Sequence, residues 1–163
     1  MNNPKPKPGT DAKSAIQATN IFKELHGHFI EDLEVGMTDF YSRTITEADI
    51  VMFAGITGDM NPVHMNREFA EQTQFGGPIA HGMLTASFIS TVIGTKLPGP
   101  GCIYVAQNLR FKGPVKVGDT VIAKAEITEL IPEKKRALFK TQCFVGDTVV
   151  IDGEAQIMVP TRS

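Results

Sequence analysis

The sequence contains no tryptophan, only two cysteines and no apolar run that approaches the ~18 residues needed for a membrane-spanning helix. Cys102 and Cys143 lie far apart and form no Cys-x-x-Cys pair, and no cluster of histidines accompanies them. Neither a zinc site nor a disulfide framework is therefore expected, and no bound metal is predicted. Both cysteines are interpreted as small buried side chains.

A strong excess of charge is also missing. The 16 Lys and Arg residues are nearly balanced by 18 Asp and Glu residues, which leaves a net charge of -2. Proteins that hold nucleic acid usually carry a basic patch or stripe, and the sequence offers none. We therefore expect no nucleic-acid partner, and the missing apolar run argues against a membrane partner.

The length of 163 residues and the hydrophobic content of 42% suit one globular domain with a substantial core. Residues 1–20 are rich in proline, lysine, asparagine and threonine and lack the apolar stretch of a secretory signal peptide. We predict a disordered leader over residues 1–20 and a single folded domain over residues 21–163. Unpaired cysteines without an export signal favour the reducing cytoplasm.

The first half of the domain carries turn and helix-start signals. A turn at Val35-Gly36-Met37 leads into a predicted strand over Thr38–Thr44. Thr46 and Asp49 have the spacing of a capping box for a helix that ends near Gly58. Asn66 can cap a second short helix that runs through Gln72, and a Gly- and Pro-rich loop then leads to His81-Gly82.

The second half predicts one long helix followed by a sheet. Residues 82–95 are apolar on nearly every side, which indicates a helix buried all round, and the Pro- and Gly-rich residues 97–101 end it. Apolar residues then alternate with polar ones in four segments, as in antiparallel strands with one buried face. In chain order, the residues expected on those faces are Ile103, Val105, Leu109 and Phe111; Val121, Ala123, Ala125 and Ile127; Ala137, Phe139, Thr141, Cys143 and Val145; and Val149, Ile151, Ala155, Ile157 and Val159.

These elements predict an α+β domain in which an antiparallel sheet curls around a long central helix, as in a hot-dog architecture. Such a sheet has a free edge, because a single helix covers its apolar face. Strand pairing through a free edge is a route to a homodimer, which is the oligomeric state that we expect.

Chemistry is suggested first by Asp59 and His64. Gly58 and the Asn61-Pro62 pair interrupt any helix between them, so a turn can bring the carboxylate and the imidazole together. A neighbouring acid and base suit the addition of water to an α,β-unsaturated thioester, which needs one proton removed from water and one delivered to Cα. The alternative is that Asp59 only closes a turn and His64 is an ordinary half-buried histidine.

A second signal is His81-Gly82 at the start of the long helix, where unpaired N–H groups and the positive end of the helix dipole meet. Glycine lets a carbonyl approach the backbone, and the Gly82 N–H is placed to stabilise an enolate oxygen. The alternative is that Gly82 serves close helix packing.

Together these motifs resemble the MaoC-like branch of the hot-dog fold, specifically the R-specific enoyl-CoA hydratases. The resemblance runs from about Ile30 to Val159 and is carried by the Gly-Asp-x-Asn-Pro-x-His motif at residues 58–64 and by residues 78–84, Pro-Ile-Ala-His-Gly-Met-Leu. It implies reversible addition of water to trans-2-enoyl-CoA without a metal or redox cofactor.

The resemblance also implies roles for individual residues. Asp59 and His64 would activate the water and protonate Cα, while the Gly82 N–H would polarise the thioester carbonyl. Ser90 falls where the family has a serine that supports the site. Asn61 is expected to fix the turn and His81 to orient the loop.

Several points stay open on the sequence alone. Arg110 and Lys112, which flank Phe111, are the best candidates for binding the phosphates of CoA, although lysines on strands commonly form only a solvated face. A hot-dog thioesterase and a non-catalytic acyl-CoA binding module are the alternative functions. Acyl-chain length and pathway, including supply of polyester precursors or fatty-acid metabolism, are not fixed by the sequence.

Overall fold

The computed structural model describes residues 21–162, so the leader predicted over residues 1–20 lies outside the described residues. Helices come first and the larger part of the sheet follows. The elements in chain order are α1 (Ile21–Leu25), a 3-10 turn (Ile30–Asp32), β1 (Thr38–Thr44), α2 (Glu47–Thr57), α3 (Pro62–Met65), α4 (Arg67–Glu71), α5 (Gly82–Thr95), β2 (Ile103–Phe111), β3 (Thr120–Ile131), a second 3-10 turn (Pro132–Lys134), β4 (Arg136–Val145) and β5 (Thr148–Met158).

The five strands form one antiparallel sheet in the order β1-β3-β4-β5-β2. The predicted alternation holds on β3 and β4, whose inner residues are buried. On β5 it shifts locally, because a register irregularity opposite Cys143 buries Val150 as well as Ile151 and leaves Val149 only half-buried. The α+β class and the strand positions expected from the sequence are thus confirmed.

Helix α5 packs against the inner face of the sheet through Leu84, Phe88, Ile89, Val92 and Ile93. The expectation that this helix is buried on all sides is wrong. An exposed strip runs along it at positions spaced by three or four residues: Met83, Ser87, Ser90 and Gly94. The amphipathic pattern could not be recognised in the sequence, because the residues of this strip are weakly polar or apolar rather than charged.

The first predicted strand after α5 is present, but its expected buried face is not. Strand β2 lies at one edge of the sheet, and Ile103, Val105 and Phe111 are 53%, 46% and 54% exposed. A bulge between Tyr104 and Ala106 interrupts the alternation. The alternation predicted the position of the strand. It could not show that, within the part of the chain that the structure describes, β2 pairs on one side only.

Helix α2 begins and ends where the sequence predicts. The Thr46 hydroxyl accepts a hydrogen bond from the Asp49 N–H, and the Asp49 carboxylate accepts from the Thr46 N–H at 2.9 Å. Gly58 ends the helix in the left-handed region with φ 77°, a conformation that glycine adopts without strain. None of the helices among residues 21–162 is long and apolar enough to cross a membrane.

Candidate active site

The turn that carries Asp59 is built by local hydrogen bonds after Gly58. The Asn61 N–H donates to Asp59 Oδ1 at 3.2 Å, and the Asn61 side-chain oxygen accepts from the Val63 N–H at 3.2 Å. Asn61 thereby caps α3, a single-turn helix that the sequence analysis did not foresee, with Pro62 at its first position. The short helix turns His64 back toward Asp59.

His64 is half-buried and is held by the segment that precedes α5. Its Nδ1 lies 2.8 Å from the carbonyl oxygen of Ile79, and the Ile79 N–H donates to the Val63 carbonyl at 3.3 Å. A carbonyl oxygen only accepts hydrogen bonds, so Nδ1 must carry the hydrogen. In the neutral imidazole the lone pair is therefore on Nε2.

His81 is buried and joins this turn to α5. Its Nε2 lies 2.9 Å from the Asp59 carbonyl oxygen, to which it donates, and its ring centroid lies 3.9 Å from that of His64. Phe53 covers another side of the His81 ring at a centroid distance of 5.0 Å. One side-chain nitrogen or oxygen from each of Asp59, His64 and His81 falls within 4.8 Å of the others. The sequence expectation that the carboxylate and the imidazole converge is met.

This spacing suits a water molecule better than a cation. A metal ion lies in the plane of each ligating imidazole, so two ligating rings must point at one centre. Here the two rings lie face against face with centroids 3.9 Å apart and are tilted by 32°, which keeps their in-plane lone pairs from meeting at one point. Each ring donates from one nitrogen to a backbone carbonyl, so the other nitrogen of each neutral ring is an acceptor.

A cavity of about 490 Å³ opens beside Asp59 and runs past the first turn of α5. Its wall is mostly apolar, with polar groups concentrated near the helix start. The lining includes Phe75, Ile79, Ala80, Met83, Phe111, Pro114, Val115 and Ile151 beside Asp59, His81, Gly82 and Thr85. An apolar cavity with a few convergent polar groups is the usual form of a small-molecule site.

Gly82 is the first residue of α5, so its N–H has no partner within the helix and points out of the helix start. A Cβ on Gly82 would lie 2.8 Å from a ring carbon of Phe111. The packing interpretation of this glycine therefore applies, because the Phe111 ring needs the space, and Gly82 also lines the cavity.

The model of the MaoC like domain matches residues 35–153. The chain belongs to the MaoC-like family. An (R)-specific enoyl-CoA hydratase of Rhodospirillum rubrum is 53% identical, over 83% of this chain and 94% of that protein. A 3-hydroxybutyryl-CoA dehydratase of Methylorubrum extorquens is 52% identical, over 87% of this chain and 90% of that protein.

Solved structures agree with the sequence relatives. The unliganded R-hydratase PhaJ1 of Pseudomonas aeruginosa superimposes with a TM-score of 0.78 at 45% identity, covering 82% of this chain and 86% of that one. An (R)-hydratase of A. caviae involved in PHA biosynthesis gives a TM-score of 0.77 at 42% identity, covering 80% and 99% of the two chains. The hot-dog fold predicted from the sequence is confirmed.

The MaoC-like domain does not bring every predicted residue to the cavity. Lys112 lines it, with Nζ 3.8 Å from the Asp152 carboxylate. Arg110 lies instead in a separate polar depression on the sheet that also contains Glu154. Ser90 lies on the exposed strip of α5, two turns beyond Gly82, and is not part of the cavity wall.

Two features of this MaoC-like site were missed at the sequence level. His64 does not line the first cavity but borders a second depression of about 440 Å³, in which Arg67 and Lys116 supply positive charge. Thr85, one turn after His81, is buried and lines the first cavity. Its spacing of four residues from His81, which puts both residues on one face of the helix, was the available signal. Residues with small hydroxyl groups in an apolar helix, however, usually serve packing alone.

Proposed function

We propose that the protein is an (R)-specific enoyl-CoA hydratase, a hydro-lyase that reversibly adds water to trans-2-enoyl-CoA and forms (R)-3-hydroxyacyl-CoA. One observation carries this proposal: a carboxylate oxygen of Asp59 and a ring nitrogen of His64 lie within 4.8 Å of each other, and Asp59 lines the apolar cavity at the start of α5, where Gly82 also lies. The high identity to an (R)-specific enoyl-CoA hydratase and a 3-hydroxybutyryl-CoA dehydratase supports the same reaction.

The reaction follows from the arrangement of these groups. A water molecule held between the Asp59 carboxylate and His64 Nε2 gives up a proton to the pair while its oxygen bonds to Cβ of the substrate. The electrons of the double bond move toward the thioester carbonyl, and the pair then returns a proton to Cα. Both proton transfers take place on one face of the substrate, because Asp59 and His64 approach from the same turn. We assign the two proton transfers to Asp59 and His64 jointly and do not divide them between the two residues.

The negative charge that develops on the carbonyl oxygen needs a donor close by. The Gly82 N–H at the start of α5 supplies one, and the positive end of the helix dipole adds to it. The loss of one such donor typically costs about 3–4 kcal/mol of transition-state stabilisation. The acyl chain would then occupy the apolar part of the cavity.

The proposal is tested by following the absorbance of the enoyl thioester with crotonyl-CoA and medium-chain analogues. The purified protein should remove this absorbance and produce the R isomer, and the Asp59→Asn variant should be strongly impaired. Release of free thiol instead would identify a thioesterase. Ligand binding without turnover would identify a binding module, and either result would overturn the proposal.

We further propose that the reaction needs no metal or redox cofactor. The tilted, closely spaced His64 and His81 rings do not direct their lone pairs to one centre, and proton transfer alone accounts for hydration. Dialysis against a strong chelator should leave kcat unchanged. Loss of activity that returns on adding a divalent cation would contradict this.

A homodimer through β2 is also part of the proposal. This edge strand exposes Ile103, Tyr104, Val105 and Phe111, whereas β1 at the other edge exposes mainly polar residues and a single large apolar one, Phe40. A second copy of the chain that pairs along β2 would cover this apolar surface. The small residues of the exposed strip on α5, including Ser90, would permit close approach of a second helix.

Sedimentation at micromolar concentration tests the dimer. The wild-type protein and the Ser42→Lys variant, which alters the opposite edge strand, should sediment as dimers. Val105→Lys should shift the protein toward the monomer, because it places a charge in the proposed interface. A monomeric wild type, or a Val105→Lys variant that remains fully dimeric, would contradict the β2 interface.

A cytoplasmic location is proposed from the two cysteines, neither of which forms a disulfide. Free thiols in a folded domain are typical of reducing compartments. Fractionation of the native cells should recover the protein with cytoplasmic markers.

A further inference from the structure

Two buried polar atoms in the cavity wall have no hydrogen-bond partner among the described residues: His81 Nδ1 and Thr85 Oγ1. Both side chains are only 2% exposed, and both residues line the 490 Å³ cavity. An unsatisfied buried polar group costs about 1–3 kcal/mol, so native structures usually supply a partner, commonly an ordered water. Both groups belong to the same wall, so one partner for the two is the simplest arrangement.

The chemistry of that partner follows from the His81 tautomer. Nε2 donates to the Asp59 carbonyl oxygen, so Nδ1 of the neutral ring is an acceptor. The Thr85 hydroxyl can donate or accept, but it does not reach Nδ1 directly. The partner must therefore offer a donor to Nδ1 and a second hydrogen bond to Oγ1. A water molecule or another hydroxyl group meets both requirements, whereas a cation or a carbonyl group does not.

The helix places the two residues next to each other. His81 caps α5 and Thr85 follows four residues later, so they lie on one face of the helix at adjacent turns. The Thr85 N–H donates to the His81 carbonyl at 3.3 Å, which fixes their relative placement. The surrounding wall is mostly apolar, so few other polar groups compete for the same molecule.

We propose that His81 Nδ1 and Thr85 Oγ1 form a second water site, distinct from the site of the reacting water at Asp59 and His64. Thr85 is then a positioning residue. Its bound water holds His81 in the Nε2–H tautomer, and His81 in turn holds the backbone of Asp59 and stacks against His64. The effect on turnover rests on the proposed hydratase function, whereas the water site itself does not.

Thr85→Val tests the proposal, because valine keeps the shape and removes the hydroxyl, and Thr85→Ser is the matched control that keeps it. We expect Thr85→Val to lower kcat about tenfold with KM nearly unchanged, since loosened positioning affects the reacting geometry more than binding. Thr85→Ser should stay near the wild-type kcat. If both variants lost activity equally, or neither did, Thr85 would have no positioning role.

Two further measurements do not depend on activity. A high-resolution crystal structure of the wild type should show a water within hydrogen-bond distance of both atoms, and Thr85→Val should lose it. The ring ¹⁵N shifts of His81 should report a single Nε2–H tautomer in the wild type and a mixture in Thr85→Val. An empty position in the wild type, or identical shifts in the two proteins, would overturn the water site even if the enzyme proved not to be a hydratase.

Discussion

The Nδ1 atom of His64 donates a hydrogen bond to the backbone carbonyl of Ile79 at 2.8 Å. This single contact leaves the lone pair of the neutral ring on Nε2. It also ties the turn that carries Asp59 and His64, the proposed catalytic pair, to the segment that enters α5. The contact thus sets both the orientation and the tautomer of the imidazole.

Replacing His64 by glutamine should therefore abolish most of the activity. Glutamine can occupy a similar volume but cannot exchange a proton, so kcat/KM should fall about 10²- to 10⁴-fold. The exposed His28, changed to glutamine, serves as the control and should leave the kinetics unchanged. Near wild-type turnover by His64→Gln would remove His64 from the mechanism.

Gly82→Ala should reduce kcat/KM at least tenfold, because a methyl group at this position intrudes on the approach of the thioester carbonyl. It should also lower stability, since the new Cβ would meet the Phe111 ring. The double variant Gly82→Ala/Phe111→Ala separates the two effects. We expect it to relieve the clash, measured by urea unfolding, without recovering activity. Full recovery of turnover would show that Gly82 serves packing alone.

Lys112 and Arg110 provide a matched pair for the CoA prediction. Lys112 lines the cavity, whereas Arg110 lies in the separate depression on the sheet. Lys112→Ala should raise KM for an acyl-CoA severalfold with little change in kcat, because it removes a phosphate partner used equally in the ground and transition states. Arg110→Ala should have no such effect. Equal KM values for both variants would place CoA elsewhere, with Arg67 and Lys116 as the next candidates.

The capping box of α2 gives a pH dependence of stability. The side chain and backbone N–H of Thr46 lower the pKa of Asp49, and the nearby Arg43 guanidinium lowers it further. The ionised Asp49 carboxylate therefore stabilises the folded protein fully above the ordinary aspartate pKa of about 4. This stabilisation is lost as the pH falls through the lower pKa that Asp49 has in the folded protein. Urea unfolding between about pH 6 and pH 3 should show that the free energy of unfolding falls less with acid for Asp49→Asn than for the wild type.

Two controls accompany this measurement. Asp147→Asn, at an exposed residue between β4 and β5, should keep the wild-type pH profile. Thr46→Ala should cost about 1 kcal/mol of unfolding free energy at neutral pH, as expected for the loss of an N-cap. An Asp49→Asn profile parallel to that of the wild type would contradict the role of this carboxylate.

The two thiols should be inert in the folded protein. Burial raises the pKa of Cys143 to about 12 and also raises the pKa of Cys102. Because the thiolate is the reactive form, iodoacetamide at about pH 8 should modify neither residue quickly, and activity should persist. Mass spectrometry should find both alkylated after unfolding in urea. Rapid modification of the native protein with loss of activity would argue for a thiol in the site.

Most of the fold could be predicted because its signals are local. The Thr46–Asp49 box, Gly58 and the alternation on β3 and β4 each act through neighbouring residues or through a simple period. The exposure of β2 could not be predicted in this way. Ile103 and Val105 look like core residues in the sequence, and only the strand order shows that one side of β2 has no neighbouring strand among residues 21–162.

The site was predictable to the extent that it is carried by short motifs. Asp59, His64 and Gly82 were identified from turn chemistry, the helix start and the family motifs, and the structure brings them together. The hydrogen bonds from His64 to Ile79 and from His81 to Asp59 join residues 15 and 22 positions apart, and no period or motif encodes them. Thr85 was not predicted for a similar reason: its significance depends on a hydroxyl that has no hydrogen-bond partner among the described residues, and a sequence does not show this.

The turn that carries Asp59 and His64 lies outside the sheet. It is tied to the segment that leads into α5 by three hydrogen bonds, from His64 and His81 to backbone carbonyls and from Ile79 to Val63. Such a segment can open locally at a lower free energy than the strands of the core. Amide hydrogen exchange should therefore be faster at residues 59–66 than in β3 and β4. Substrate that bridges the turn and α5 would close this opening, so occupancy of the site and rigidity of the turn would rise together.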